Sequence, residues 1–132
     1  MRSLTVEEKT LLRNAADKAR ERSICPYSGK AVGAALLCDG GDIYTGANVE
    51  SAAFSPTVCA ERVALLRALH DGQRNFVAIA VAGGDNGEAV TSAFTPCGVC
   101  RQMLSEFCDK DTAVIVATPG GYDEYTLGQL LP

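Results

Sequence analysis

The chain has 132 residues, 47% of them hydrophobic and 21% charged, with a formal net charge of −4 at pH 7. That length predicts one domain spanning residues 1–132. No apolar run approaches the ~20 residues of a membrane span, and the acidic balance offers no basic face to a polyanion, so a soluble protein with no membrane and no nucleic-acid partner is expected.

Thr5 and Glu8 form a capping-box pattern, and Leu4, Leu11, Leu12, Ala15, Ala16 and Ala19 fall on one helical stripe, which predicts a helix over 5–22. Lys18, Arg20 and Arg22 are read as its solvated side. The polar stretch from Met1 to Thr10 does not look like a signal peptide, so a cytoplasmic location is expected. The apolar run 31–38, the turn signal Asp39-Gly40-Gly41 and the segment 42–49 predict a hairpin. Asn48 and Glu50 lie at the far end of its second strand, on one face by the two-residue period.

Residues 58–69 read as a helix buried on most sides, ended by His70-Asp71-Gly72. A strand over 76–82, a loop over 83–93, a helix over 96–107 with cysteines in its first turn and a strand over 112–117 follow. Beyond Pro119-Gly120-Gly121 come an edge strand over 122–125 and a short helix over 126–131. The order predicts a layered α/β domain with a mixed sheet.

In a reducing cytosol, Cys97-x-x-Cys100 reads as a metal or redox motif rather than half of a disulfide framework, and Cys25, Cys38 and Cys108 as small packing residues. Cys97 and Cys100, three apart, share a helix face. Cys59 and Glu61 are about 200° apart on a continuing helix, so both reach one site only from its tip. Two helix starts are therefore predicted to face each other, where free amides and the positive dipole ends favour thiolates. Three thiolates leave the fourth position of a tetrahedral zinc open, the mark of a catalytic site, and Glu61 supplies a base that binds no metal. Arg62 is read either as a charge-withdrawing neighbour of the thiolates or as a surface pair. Alone, the Cys-x-x-Cys spacing also fits a redox pair or a structural clip, and Glu61 alone fits a helix-start carboxylate. His70 is read as a helix-end cation, not as a ligand.

The motifs Pro26-Tyr27-Ser28, Val32-Gly33-Ala34-Ala35-Leu36, Asn48-Val49-Glu50, Cys59-Ala60-Glu61-Arg62, Pro96-Cys97-Gly98-Val99-Cys100-Arg101-Gln102 and Leu130-Leu131-Pro132 resemble, in order and spacing, the small zinc-dependent cytidine deaminases. The resemblance implies a three-layer α/β/α fold with a mixed sheet of about five strands. It also implies hydrolytic deamination of cytidine or 2′-deoxycytidine at C4, with release of ammonia, in pyrimidine salvage. One zinc per chain would be held by Cys59, Cys97 and Cys100, with Glu61 as catalytic proton shuttle. Asn48 and Glu50 would bind the ribose 3′-hydroxyl, the Ala60 amide the base carbonyl, and Arg62 the thiolates. A homotetramer with active sites shared between subunits is likewise implied.

The chain departs from that family at Lys30, where Phe is common, at Ser51 for Asn, at Phe54 for Tyr, and in ending at Pro132 before a terminal Phe. Loss of those aromatics, together with the charge of Lys30, raises an alternative: deamination of a modified cytosine nucleoside or a nucleoside antibiotic such as blasticidin S. Asn48-x-Glu50 favours an ordinary ribose, because blasticidin-type enzymes lack that glutamate. A non-catalytic zinc or iron–sulfur protein is a third reading, which Glu61 argues against.

Overall fold

The computed structural model describes residues 3–53, 56–91 and 94–131. Helix α1 (Val6–Ala19) starts where the sequence caps it. The Glu8 amide donates to Thr5 Oγ1 at 3.1 Å and the Thr5 amide to the Glu8 carboxylate at 3.0 Å, which satisfies two of the amides a helix start leaves free. A 3-10 turn over Arg20–Arg22 carries the chain to the predicted end. Strands β1 (Lys30–Cys38) and β2 (Ile43–Ala47) form the hairpin, followed by α2 (Ala60–His70), β3 (Phe76–Asp85), α3 (Gly98–Phe107), β4 (Ala113–Thr118), β5 (Gly121–Thr126) and α4 (Leu127–Leu130).

Among the described residues the strands make one five-stranded sheet in the order β2-β1-β3-β4-β5. β3 and β4 are parallel and the other pairs antiparallel, giving the mixed sheet expected. A parallel pair needs a crossover long enough to return the chain, and α3 provides it. Side-chain alternation along the strands then builds two cores. Ala34, Leu36, Cys38, Ile79, Val114 and Val116 pack with Ala64, Leu65 and Ala68 of α2, Leu104 of α3 and Leu127 of α4. On the other face Ala35, Leu37, Ala80, Ala82, Ile115 and Ala117 pack with Leu12 and Ala16 of α1. The result is three layers, α1 on one side and α2, α3 and α4 on the other.

Gly46 of β2 lets α2 approach this sheet. A Cβ there would stand 2.5 Å from the Ala60 carbonyl oxygen and 2.6 Å from the Ala64 amide nitrogen, so any side chain would push the start of α2 away.

Four expectations change. Arg20 is buried rather than solvated: its Nε donates to the Ala31 carbonyl at 2.8 Å, Nη2 to the Asp85 carbonyl at 3.1 Å and Nη1 to Asp17 Oδ1 at 3.0 Å. A buried guanidinium persists only when so paired. Strand β3 runs three residues past its predicted end, because Gly83, Gly84 and Asp85 pair with Val32, Ala31 and Lys30. Helix α2 is less enclosed than predicted, with Leu66 and Arg67 exposed while Ala60, Glu61, Ala64, Leu65 and Ala68 are buried. Leu11, placed on the apolar stripe of α1, is likewise exposed. Cys25 and Cys38 are buried and Cys108 half-buried against the core, as packing residues should be.

Candidate metal centre and active site

Cys59 and Cys97 are the residues immediately before α2 and α3, both with extended backbone, and neither caps its helix with its side chain. Their thiols are thus free to turn toward each other while both helix starts present unpaired amides. Cys59 Sγ lies 3.7 Å from Cys97 Sγ, and Cys97 Sγ 3.3 Å from Cys100 Sγ. Among the described residues these three form the only group of three or more such side chains able to hold one metal ion, with all ligand atoms within 4.8 Å of one another. His70 is exposed at the far end of α2 and takes no part. The predicted facing of two helix starts is therefore present.

Cys59 and Cys100 hold their protons unequally. Hydrogen bonding from Cys100 foremost, and from Arg62, lowers the Cys59 thiol below its ordinary value, while the same bond to Cys59, followed by burial, raises Cys100. Arg62 Nη2 donates to Cys59 Sγ at 3.7 Å and to the Thr57 carbonyl at 3.3 Å. Of its two readings, the contact with the thiolates is the one found.

Glu61, the second residue of α2, is 4% exposed. Burial foremost, and the charge of Cys59, push its carboxyl up to about 7, against hydrogen bonds and Arg62 that favour the ionised form.

A cleft of about 300 Å³ opens over this centre, lined by Cys59, Ala60, Glu61, Cys97, Asn48 and Glu50, with Val32, Val58, Val81 and Phe94 among its apolar walls. Larger grooves elsewhere, such as that beside Asp17 and Glu88, hold no comparable cluster. Asn48 follows β2 and is buried; its Oδ1 accepts from the Val32 amide at 2.9 Å and from Ser23 Oγ at 2.5 Å, and its Nδ2 donates to the Lys30 carbonyl at 2.9 Å. Most of its capacity is spent bracing β1. Glu50 accepts from the Tyr27 and Ser28 amides at 3.0 and 3.1 Å and from the Ser28 hydroxyl. The Ser28 hydroxyl, then these amides, hold the Glu50 carboxyl below its ordinary range, so it is ionised and keeps acceptor capacity.

The family model described as the cytidine and deoxycytidylate deaminase zinc-binding region matches residues 6–117. The chain belongs to that family. It is 45% identical over 116 residues to the cytidine deaminase of Sporosarcina psychrophila, covering 87% of this chain and 82% of that protein. It is 43% identical over 126 residues to the cytidine deaminase of Halalkalibacterium halodurans, covering 95% and 92%. Among solved structures, cytidine deaminase from Burkholderia pseudomallei superposes with a TM-score of 0.85 at 39% identity, covering 98% of each chain.

Within this deaminase family the donor set fits zinc. Three clustered sulfurs suit a soft-to-borderline divalent ion and leave one tetrahedral position open. Arg62 Nε, buried without a hydrogen-bond partner, places positive charge beside a thiolate-rich centre.

The departures in the pocket are resolved in part. Lys30 lines the cleft but its ammonium is paired with the Asp85 carboxylate, so the charge that would favour an anionic substituent is already opposed. The Ser51 amide donates to Thr57 Oγ1 at 3.0 Å, which ties the chain after Glu50 to the segment before Cys59. Phe54 and Pro132 lie outside the described residues. Sequence reasoning missed Phe94, an aromatic side chain of the cleft itself. Its signal was a lone aromatic just before the Pro96-Cys97 motif, between the segment read as loop and the segment read as helix.

Proposed function

We propose that the protein deaminates cytidine and 2′-deoxycytidine to the corresponding uridines, with water consumed and ammonia released. One observation carries this reading: Cys59 and Cys97 of the three-thiol cluster and a buried carboxyl at about 7 line one nucleoside-sized cleft with the ionised Glu50. Bound by Cys59, Cys97 and Cys100, zinc would supply the Lewis acidity that makes water a nucleophile at neutral pH.

The chain's own groups do the rest. Glu61 takes a proton from the attacking water and returns it to the departing amine; a value near neutrality, which supports this role, suits a group that must do both. The Ala60 amide, at the first turn of α2 where no intrahelical acceptor exists, is free to donate to the carbonyl of the base. Glu50 accepts from the ribose 3′-hydroxyl, while Asn48 fixes the strand end that carries it and offers its remaining N–H to the sugar. Arg62 moderates the charge of the thiolates. The pairing of Lys30 with Asp85 and the presence of Glu50 support plain nucleosides over charged or antibiotic substrates.

A homotetramer whose subunits complete each other's sites is part of this reading, supported by the exposed apolar side chains Ile24, Tyr27, Val49 and Leu66. The expected setting is cytoplasmic pyrimidine salvage; among the described residues no helix is long and apolar enough to cross a membrane. The test is a substrate panel on zinc-loaded protein: cytidine, deoxycytidine, 5-substituted and N4-substituted cytidines, cytosine, CMP and blasticidin S. Cytidine and deoxycytidine should be turned over fastest. Full zinc occupancy with no deamination of any of them contradicts the reading.

A further inference from the structure

Among the described residues that line the cleft Lys30 is the only basic one, and it does not stand alone. Lys30 opens β1 and Asp85 closes β3, so the two face each other across the antiparallel ladder, and Lys30 Nζ donates to Asp85 Oδ1. Both side chains are exposed, so the pair adds little to stability. Asp85 itself is outside the cleft lining.

Both backbones are anchored around the sugar end of the cleft. The Lys30 amide donates to Ser28 Oγ at 3.0 Å, and the same hydroxyl donates to the Glu50 carboxylate. The Lys30 carbonyl accepts from Asn48 Nδ2 at 2.9 Å. Lys30 is thus bonded directly to Asn48 and through Ser28 to Glu50, the two residues assigned to the ribose. On the other strand the Asp85 carbonyl accepts from Arg20 Nη2 at 3.1 Å and from the Glu88 amide at 3.0 Å, while the Asn86 amide donates to the Gly29 carbonyl at 2.8 Å. The ion pair is therefore set by the fold before any ligand arrives. It leaves one positive and two negative charges at this end, those of Lys30, Asp85 and the ionised Glu50.

We propose that Asp85 is a specificity residue acting through Lys30: by engaging the ammonium it makes the cleft accept cytosine nucleosides and reject their 5′-monophosphates. This role presupposes the deaminase reading above and deepens it. With the 3′-hydroxyl held by Glu50, the 5′ position is the free end of the sugar, and a phosphate there brings a charge of about −2 toward two carboxylates and a cation already neutralised. Discrimination by opposed like charges needs no contact with the accepted substrate. Without the Asp85 charge, the flexible four-carbon stem of Lys30 lets its ammonium turn to a phosphate.

The experiment compares zinc-loaded wild type, Asp85→Asn, Lys30→Met and the double variant. It measures kcat/KM for cytidine and CMP, and competitive inhibition of cytidine deamination by uridine and UMP, at low and high salt. Ratios of nucleotide to nucleoside are read, so a general loss of activity cancels. Wild type should prefer the nucleosides. Asp85→Asn should raise both ratios by roughly tenfold or more, and the gain should shrink as salt rises. In the Lys30→Met background the same substitution should give no comparable gain. Ratios for Asp85→Asn within twofold of wild type, an equal gain without Lys30, or a wild type that uses CMP as well as cytidine overturns the proposal. Wild-type protein that deaminates no cytosine nucleoside removes the deaminase reading and the proposal with it, whereas normal cytidine turnover beside unchanged ratios removes the proposal alone.

Discussion

Cys59 and Cys97 are 38 residues apart in sequence, yet their sulfurs lie 3.7 Å apart, because each is the residue immediately before a helix and the two helix starts meet. This relationship makes the centre. It puts two thiols where backbone amides and dipoles already favour negative charge, brings Cys100 in from the first turn of α3, and leaves Glu61 one residue inside α2. The approach of α2 to the sheet depends in turn on Gly46.

Metal binding is predicted to be part of the fold's stability. With free zinc at about 100 times its Kd, linkage adds about 2.7 kcal/mol to the folded state. Chelation should therefore lower the Tm of the wild-type protein by roughly 10 °C for a domain of this size. Cys100→Ser should lose most of its zinc and respond little to chelator. Thermal scans with parallel zinc analysis check this, and a wild-type Tm indifferent to chelator would count against a zinc site at the three cysteines.

Much of this centre was legible in the sequence because its parts are local. The capping box of α1, the apolar runs of β1 and β4, and the placement of cysteines at helix starts each depend on neighbours a few residues away. What was not legible depends on distant backbone. Arg20 looks like any helix-surface arginine until the Ala31 and Asp85 carbonyls arrive from other strands. Gly83 and Gly84 read as the start of a loop, yet they extend β3, and Phe94 and the Arg20 guanidinium occupy the space their side chains would need. Lys30 looked like a free charge because nothing near it in sequence announces Asp85, 55 residues away.

Arg20 is expected to be a stability determinant with no direct part in the chemistry. Arg20→Leu leaves the Ala31 and Asp85 carbonyls without their donor and should destabilise the fold by about 2–4 kcal/mol. Urea denaturation checks it through a lower midpoint at unchanged slope. A loss below about 0.5 kcal/mol would mean that these bonds contribute little.

Glu50 should titrate abnormally low because of Ser28. The folded carboxyl lies below its unfolded value, so the stability it contributes is present above the ordinary carboxylate range, ~4.3, and is lost as pH falls through the folded value. Ser28→Ala removes the foremost cause, which should raise the Glu50 midpoint in carbon-13 NMR of the side-chain carboxyls. The stability difference between wild type and variant should be present near neutral pH and fade in acid. An unchanged midpoint would assign the low value to the Tyr27 and Ser28 amides instead.

Glu61 is expected to move the proton beside a metal it does not bind. Glu61→Gln keeps the size and burial of the side chain and leaves Cys59, Cys97 and Cys100 in place. The direct measurement is cytidine deamination by zinc-loaded wild type and Glu61→Gln, with zinc content determined on the same samples. Zinc content should be equal and kcat in Glu61→Gln lower by roughly 10²–10⁴-fold. Equal zinc with wild-type turnover would contradict that role.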